Sequence, residues 1–296
     1  MELRLRILIA LLMVGLAAGH LQADDAKAAP PKGQRVFSAG HSFHMPIVGP
    51  LAEIAKSAGI VHLSAGAQSI GGSTVTQHWD RPDDKNQAKK AIIAGNVDVL
   101  TLSPHFILPD PAIDKFVALL LEHNSNGRVM LQASWIPRDG ALFGAFNPAT
   151  RDTVKIDHLR TSAAPYNEKM RAQAKALNER YAGQLKRPVV FIVPVGEAVT
   201  LLRERVSKGE VPGITKQSDL FRDALGHGKE PIYLLNAYCH FAVIYGKSPV
   251  GLASPKAFQK AGLGDNTEKV NRILQEIAWQ AVTSEPMSGV AKKDAE

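Results

Sequence analysis

The 296-residue sequence contains a single cysteine, Cys239. An intramolecular disulfide is excluded, so a packed apolar core must hold the fold. Cys239 sits in the run Tyr238-Cys239-His240-Phe241-Ala242-Val243-Ile244-Tyr245 and reads as a small buried hydrophobe, not a nucleophile. Long basic blocks are also missing. Beyond the pair Lys89-Lys90 the cations are scattered, so the net charge of +7 reads as a solvated surface and not as a nucleic-acid footprint. No internal period marks a repeat protein. Past residue 18 no apolar stretch approaches the roughly 20 residues that span a bilayer.

What is present begins at the N-terminus. Arg4 and Arg6 precede the apolar run from Ile7 to Ala18, and small residues follow to Ala23. That order predicts a secretory signal over residues 1–23. The protein is then expected to be secreted or periplasmic, with no stable membrane insertion after cleavage. Residues 24–33, rich in Ala, Pro and Lys, read as a flexible lead-in. Residues 34–285 read as one domain, whose hydrophobic content of 45% and charged content of 21% fit a globular chain. Residues 286–296 read as a polar tail.

Within the domain, strands alternate with helices. Strands are predicted over 35–39, 60–63, 97–102, 128–133 and 188–194. Helices are predicted over 46–58, 84–95, 111–123, 163–183, 196–207, 231–245 and 265–282. The alternation predicts an α/β fold of three layers, α/β/α, around a central five-stranded parallel sheet. The segment 134–162, with Trp135, Pro137, Gly140 and Pro148, is predicted to form a long irregular lid or wall.

The residues that carry chemistry gather at the expected carboxyl ends of strands, where such sheets bind ligands. Strand one runs into Gly40-His41-Ser42-Phe43-His44. A serine there becomes a nucleophile only beside a base; its bland alternative is a helix cap. His227, between Gly226 and Gly228, is the candidate base. Asp223, four residues earlier, is the group that can orient it. Gly71-Gly72 after strand two can bring backbone N–H groups to a developing oxyanion, and Ser103 and His105 after strand three offer further donors.

Together these positions resemble the SGNH/GDSL hydrolase superfamily, over roughly residues 35–245. The stretch 223–252 is also similar to the C-terminal part of secreted bacterial members. The resemblance implies a flavodoxin-like fold and a carboxylic esterase without metal or cofactor. Ser42 would be the nucleophile, His227 the base and Asp223 its partner. Ser42, Gly72 and His105 would serve as oxyanion donors, and His41, Gly71, Ser103 and Trp135 would bind a small-molecule or glycan ester. The sequence departs from the family twice. Leu102-Ser103-Pro104-His105 stands where a Gly-x-Asn-Asp motif is usual, and Asp223 and His227 are four apart where three is usual.

Two other readings compete. His41 and His44, with His78, His105 and His227, can be drawn as a zinc site, though no Asp/Glu cluster accompanies them. A catalytically weak or inactive carbohydrate-binding protein would instead use Trp79, Trp135 and Tyr166 as the walls of a sugar cleft.

Overall fold

Val36, Val99, Met130 and Val193 point to one face of a sheet, and Phe37, Leu100, Leu131 and Ile192 point to the other. Strands that are apolar on both faces need a helical layer on each side. The computed structural model describes residues 32–141 and 146–291; the signal-like segment lies outside them. Five strands, β1 (Arg35–Gly40), β2 (Leu63–Ser69), β3 (Val99–Leu102), β4 (Arg128–Gln132) and β5 (Val190–Val193), form one sheet in the order β2-β1-β3-β4-β5. Every pairing is parallel.

Among the described residues eight α-helices accompany them: α1 (Val48–Ser57), α2 (Val75–Trp79), α3 (Gln87–Ile93), α4 (Pro111–His123), α5 (Ile156–Leu185), α6 (Val195–Ser207), α7 (Glu230–Tyr245) and α8 (Thr267–Ser284). The first, sixth, seventh and eighth cover one face, and the second to fifth cover the other. The expected three-layer α/β/α architecture with a five-stranded parallel sheet is therefore what forms. Of the sixteen residues of α7, all but Glu230 and Tyr233 are buried. A helix apolar on all sides belongs inside, and α7 lies between α1, α6 and α8. Cys239 is fully buried there, and burial pushes its thiol well up, as expected of a core residue.

After β1 the chain places β2 at one edge, then returns past β1 to lay down β3, β4 and β5. Strand order reverses between β1 and β3. The crevice outside the carboxyl ends of those two strands is the topological switch point, where ligands bind in folds of this kind.

Four sequence expectations are corrected. Strand two is not 60–63 but Leu63–Ser69, a small and polar edge strand. One side of it is open, so it lacks the apolar signature that Ile60 and Val61 displayed; Val61 is in fact 69% exposed. Helix α2 had no counterpart, although Thr74 and Gln77 form a capping box at its start. Residues 156–162 of the expected lid are the first two turns of α5, which carries Pro165 inside it. The expected tail is packed through Val290: Ile192 N–H donates to Met287 O at 2.9 Å, and Gly289 abuts the Phe191 ring.

Gly40 marks where β1 enters the crevice. A Cβ on it would lie 2.8 Å from His44 Cδ2 and 2.9 Å from Ser103 Cβ. Gly40→Ala is therefore expected to lower stability by about 1–3 kcal/mol through overpacking, read from the midpoint of denaturant unfolding. An unchanged midpoint would contradict the close approach of the two loops.

Candidate active site

The turn after β1 is closed by His44 N–H donating to His41 O at 2.9 Å, with Ser42 inside it and half-buried. Buried amides fix the turn from below. Phe43 O accepts from Gln132 Nε2 at 3.2 Å and from Asn236 Nδ2 at 3.0 Å. Gln132 ends β4 and Asn236 is on α7, so sheet and central helix both grip the residue after the serine. His44 is fully buried beneath, its Nδ1 2.6 Å from Gln132 Oε1 and its Nε2 2.9 Å from Thr101 Oγ1. Because that amide oxygen can only accept, Nδ1 carries the proton.

The second half of the site comes from the loop before α7. Phe221 and Gly228 form an antiparallel bridge that pinches it into a hairpin. Inside, Asp223 Oδ1 accepts the N–H groups of Gly226 at 2.9 Å and His227 at 3.0 Å, and Oδ2 accepts His227 Nδ1–H at 2.6 Å. Gly226 has φ +101, a conformation other residues rarely adopt. Burial by itself would push the Asp223 carboxyl up. The backbone and ring N–H groups of His227 and the N–H of Gly226 outweigh it and hold the acid below its usual range. With Nδ1–H committed to Asp223, the other nitrogen, Nε2, faces Ser42 Oγ at 2.8 Å. The three side chains expected to meet do meet, across 185 residues of sequence.

Aromatic packing and a buried ion network carry this loop. Phe43 stacks on Trp135 at 4.5 Å and meets the His227 ring edge-on at 5.2 Å. Trp135 Nε1 donates to Gly226 O at 2.9 Å. Arg151 donates to Asp223 O and Ala224 O, and Asp139 joins Arg151 to Arg203. The described part of the segment expected to form a lid or wall, 134–141 and 146–155, donates to the Asp223–His227 hairpin through Trp135, Arg138 and Arg151.

The remaining expected site residues fall differently. Gly71 and Gly72 are exposed beside the serine turn, where Ile70 N–H donates to Gly40 O at 3.2 Å. Among the described residues, the N–H groups of Ser42, Gly71 and Gly72 donate to no protein acceptor. His41 and Ser103, expected to bind substrate, are instead buried and joined Nε2 to Oγ at 2.9 Å. Trp135, expected likewise, is 5% exposed and spent on Phe43 and Gly226. His105 is half-buried against Phe106, and its Nδ1 finds no partner among the described residues.

The rival sites do not assemble. Among the described residues no group of three or more His, Cys, Asp or Glu is placed to hold a metal. His78 binds Ser73 Oγ at 2.8 Å, and His41, His44 and His227 are committed as described above. The sugar cleft fails as well. Tyr166 is buried and donates to Pro104 O at 3.1 Å, and Trp79 packs edge-on to Phe116 under Lys89. Sequence reasoning missed Gln132, Asn236, Asp139, Arg151 and Arg203. Nothing local marks any of them; each acts through partners from distant parts of the chain.

No family model matches the chain, and no curated protein matches it in sequence. Solved structures do. A DUF4886 family protein from Bacteroides uniformis superposes with a TM-score of 0.54 at 15% identity, over 85% of this chain and 95% of the other. A protein of Slackia heliotrinireducens provisionally named an SGNH hydrolase gives 0.41 at 14% identity, over 71% and 97%. A protein of Parabacteroides merdae provisionally named a GDSL-like lipase gives 0.42 at 14%, over 73% and 97%. The likeness to the Bacteroides uniformis protein shows the fold alone, a five-stranded parallel sheet flanked by helices.

The site rests on histidines held neutral. Burial is the main cause for each: it pushes His41 and His44 down to about 3 and His78 and His240 to about 4. An unfolded chain binds these protons near pH 6.5. The folded state binds them only at about 3–4, so stability present above the unfolded value is lost as pH falls toward the folded one. The urea midpoint should fall steadily between about pH 7 and about pH 4.5, and His44→Gln should flatten that slope. A midpoint constant over the interval would contradict the neutral assignment.

Proposed function

We propose that the chain is a serine hydrolase acting on carboxylic esters. The observation that carries this is the hydrogen-bonded relay from Ser42 Oγ through His227 to Asp223, at 2.8 and 2.6 Å. Asp223 holds the proton on Nδ1, which leaves the Nε2 lone pair facing the serine hydroxyl. In the proposed reaction Ser42 Oγ attacks the ester carbonyl carbon and its proton passes to His227 Nε2. The oxyanion lies against the N–H groups of Ser42 and Gly72, with His105 as a third donor in place of an asparagine. Collapse returns the proton to the leaving alkoxide and frees the alcohol. Water then attacks the acyl-enzyme with His227 as base, releasing the carboxylic acid and restoring Ser42.

The half-buried serine and a His227 side chain 19% exposed leave the relay open to a substrate. The substrate is a small-molecule or glycan ester, and the N-terminal pattern supports action outside the cytoplasm. A second reading, a weakly active or inactive binding protein, is favoured by one feature. The loop after β3 turns Ser103 inward to His41 and leaves fewer donors facing the crevice. Loss of one oxyanion donor costs about a hundred- to a thousandfold, so this reading differs in rate and not in architecture.

Turnover of short acyl esters tests the proposal. Ser42→Ala and His227→Ala are each expected to lower kcat by about 10⁴-fold or more, and Asp223→Asn by about 10⁴-fold through the wrong tautomer. All three should keep the wild-type circular dichroism. Wild-type turnover by folded Ser42→Ala or His227→Ala would overturn the assignment, and no Ser42-dependent turnover by the wild type would favour the binding protein.

A further inference from the structure

Four consecutive carbonyls of the Asp223–His227 loop each receive a donor from one other stretch of chain. Asp223 O accepts Arg151 Nη1–H at 2.8 Å and Ala224 O accepts Arg151 Nη2–H at 3.1 Å. Leu225 O accepts the Arg138 backbone N–H at 3.0 Å, and Gly226 O accepts Trp135 Nε1–H at 2.9 Å. All these donors lie within residues 135–151. Inside the loop the N–H groups of Gly226 and His227 turn to Asp223 Oδ1, the Gly226 N–H lying also 3.3 Å from Asp223 O. The peptide planes that set the carboxylate against the imidazole are thus held from outside the loop as well as from within it.

We propose that Arg151, seconded by Trp135, is a positioning residue for the Asp223–His227 pair. The guanidinium orients two successive peptide groups through two of its N–H bonds, which a point charge cannot do. Its plane lies over the Phe221 ring at 4.5 Å, at the bridge that closes the hairpin.

The guanidinium is itself placed with care. Asp139 Oδ2 accepts Arg151 Nε–H at 3.2 Å while Oδ1 accepts Arg203 Nη1–H at 2.8 Å, all three side chains being almost fully buried. Arg203 is held in turn by Gln217 Oε1 at 2.7 Å. A cation buried without a counter-charge is strongly disfavoured, so the shared carboxylate is what allows two arginines to sit beneath the loop. Arg138 and Asp139 both adopt left-handed φ, +50 and +53. Two adjacent non-glycine residues in that region are rare, and such strain concentrates at functional sites. Here it sends the Arg138 N–H to Leu225 O and the next side chain the other way, to the arginines.

The inference rests on the triad of the proposed function, and its test separates the two. Full-length Arg151→Gln, Arg151→Ala and Trp135→Phe are assayed on p-nitrophenyl acetate across pH. Arg151→Gln is expected to lower kcat by about a hundredfold with KM nearly unchanged, because a misplaced catalytic group costs about that much. The acidic limb of its kcat/KM profile should be displaced, and methylguanidinium should restore part of the activity of Arg151→Ala. A merely structural arginine would change stability and leave the acidic limb in place. Trp135→Phe keeps the stack and removes only the N–H to Gly226 O; about a fivefold fall in kcat with the same displacement is expected. It decides the matter if the Arg151 variants fail to fold. A folded Arg151→Gln with wild-type kcat and pH profile overturns the inference, as does an unaltered Trp135→Phe where no Arg151 variant folds. Turnover that survives Ser42→Ala would overturn the triad instead, whatever the Arg151 variants do.

Discussion

One hydrogen bond, Ser42 Oγ to His227 Nε2 at 2.8 Å, joins two loops 185 residues apart in the chain. Its donor hangs from the first strand and its acceptor from the hairpin before the central helix. Neither loop has regular secondary structure to hold it. Each must be fixed by contacts from elsewhere, and two sets of buried polar side chains do so. The sheet contributes the platform: β1 and β3 part at the switch point, and the turn after β1 stands in the gap.

The two loops are held by different means. The serine turn is gripped from below by neutral amides and imidazoles: Gln132 and Asn236 on Phe43 O, and His44 between Gln132 and Thr101. These groups sit in a fully buried layer, where neutral partners avoid the cost of burying charge. The histidine hairpin lies nearer the surface and is gripped by charge. Arg151, Asp139 and Arg203 form a buried triad with one carboxylate shared between two guanidinium groups. Between the two systems run Phe43 and Trp135, whose stacked rings touch both the serine turn and the histidine ring. A disturbance on either side therefore reaches the geometry of the relay.

Much of this was legible in the sequence, for definite physical reasons. Central strands apolar on both faces announce themselves, so β1, β3, β4 and β5 and the layered fold could be read directly. The edge strand could not, because Leu63-Ser64-Ala65-Gly66-Ala67-Gln68-Ser69 is half open to solvent and carries little apolar signal. Ser42, Asp223 and His227 stood out because a serine after the first strand and a histidine between glycines are local features. His41, Ser103 and Trp135 were read as substrate-facing because they are polar or aromatic and lie near the crevice, yet all three are buried in the support beneath it. Arg151 and Asn236 left no trace, since an arginine in a loop and an asparagine in an apolar helix gain meaning only from carbonyls some 70 and 190 residues away. Periodicity reports burial; it does not report which distant polar group a buried side chain will meet.

The central claim is that the Ser42 hydroxyl is activated by His227. It is tested most directly by exposing the intact protein to a fluorophosphonate and mapping the adduct by peptide mass spectrometry. The account requires a single phosphonylated residue, Ser42, formed far faster than on free serine and lost when the protein is denatured beforehand. An unmodified Ser42 in the folded protein, or an adduct spread over several serines, would contradict it.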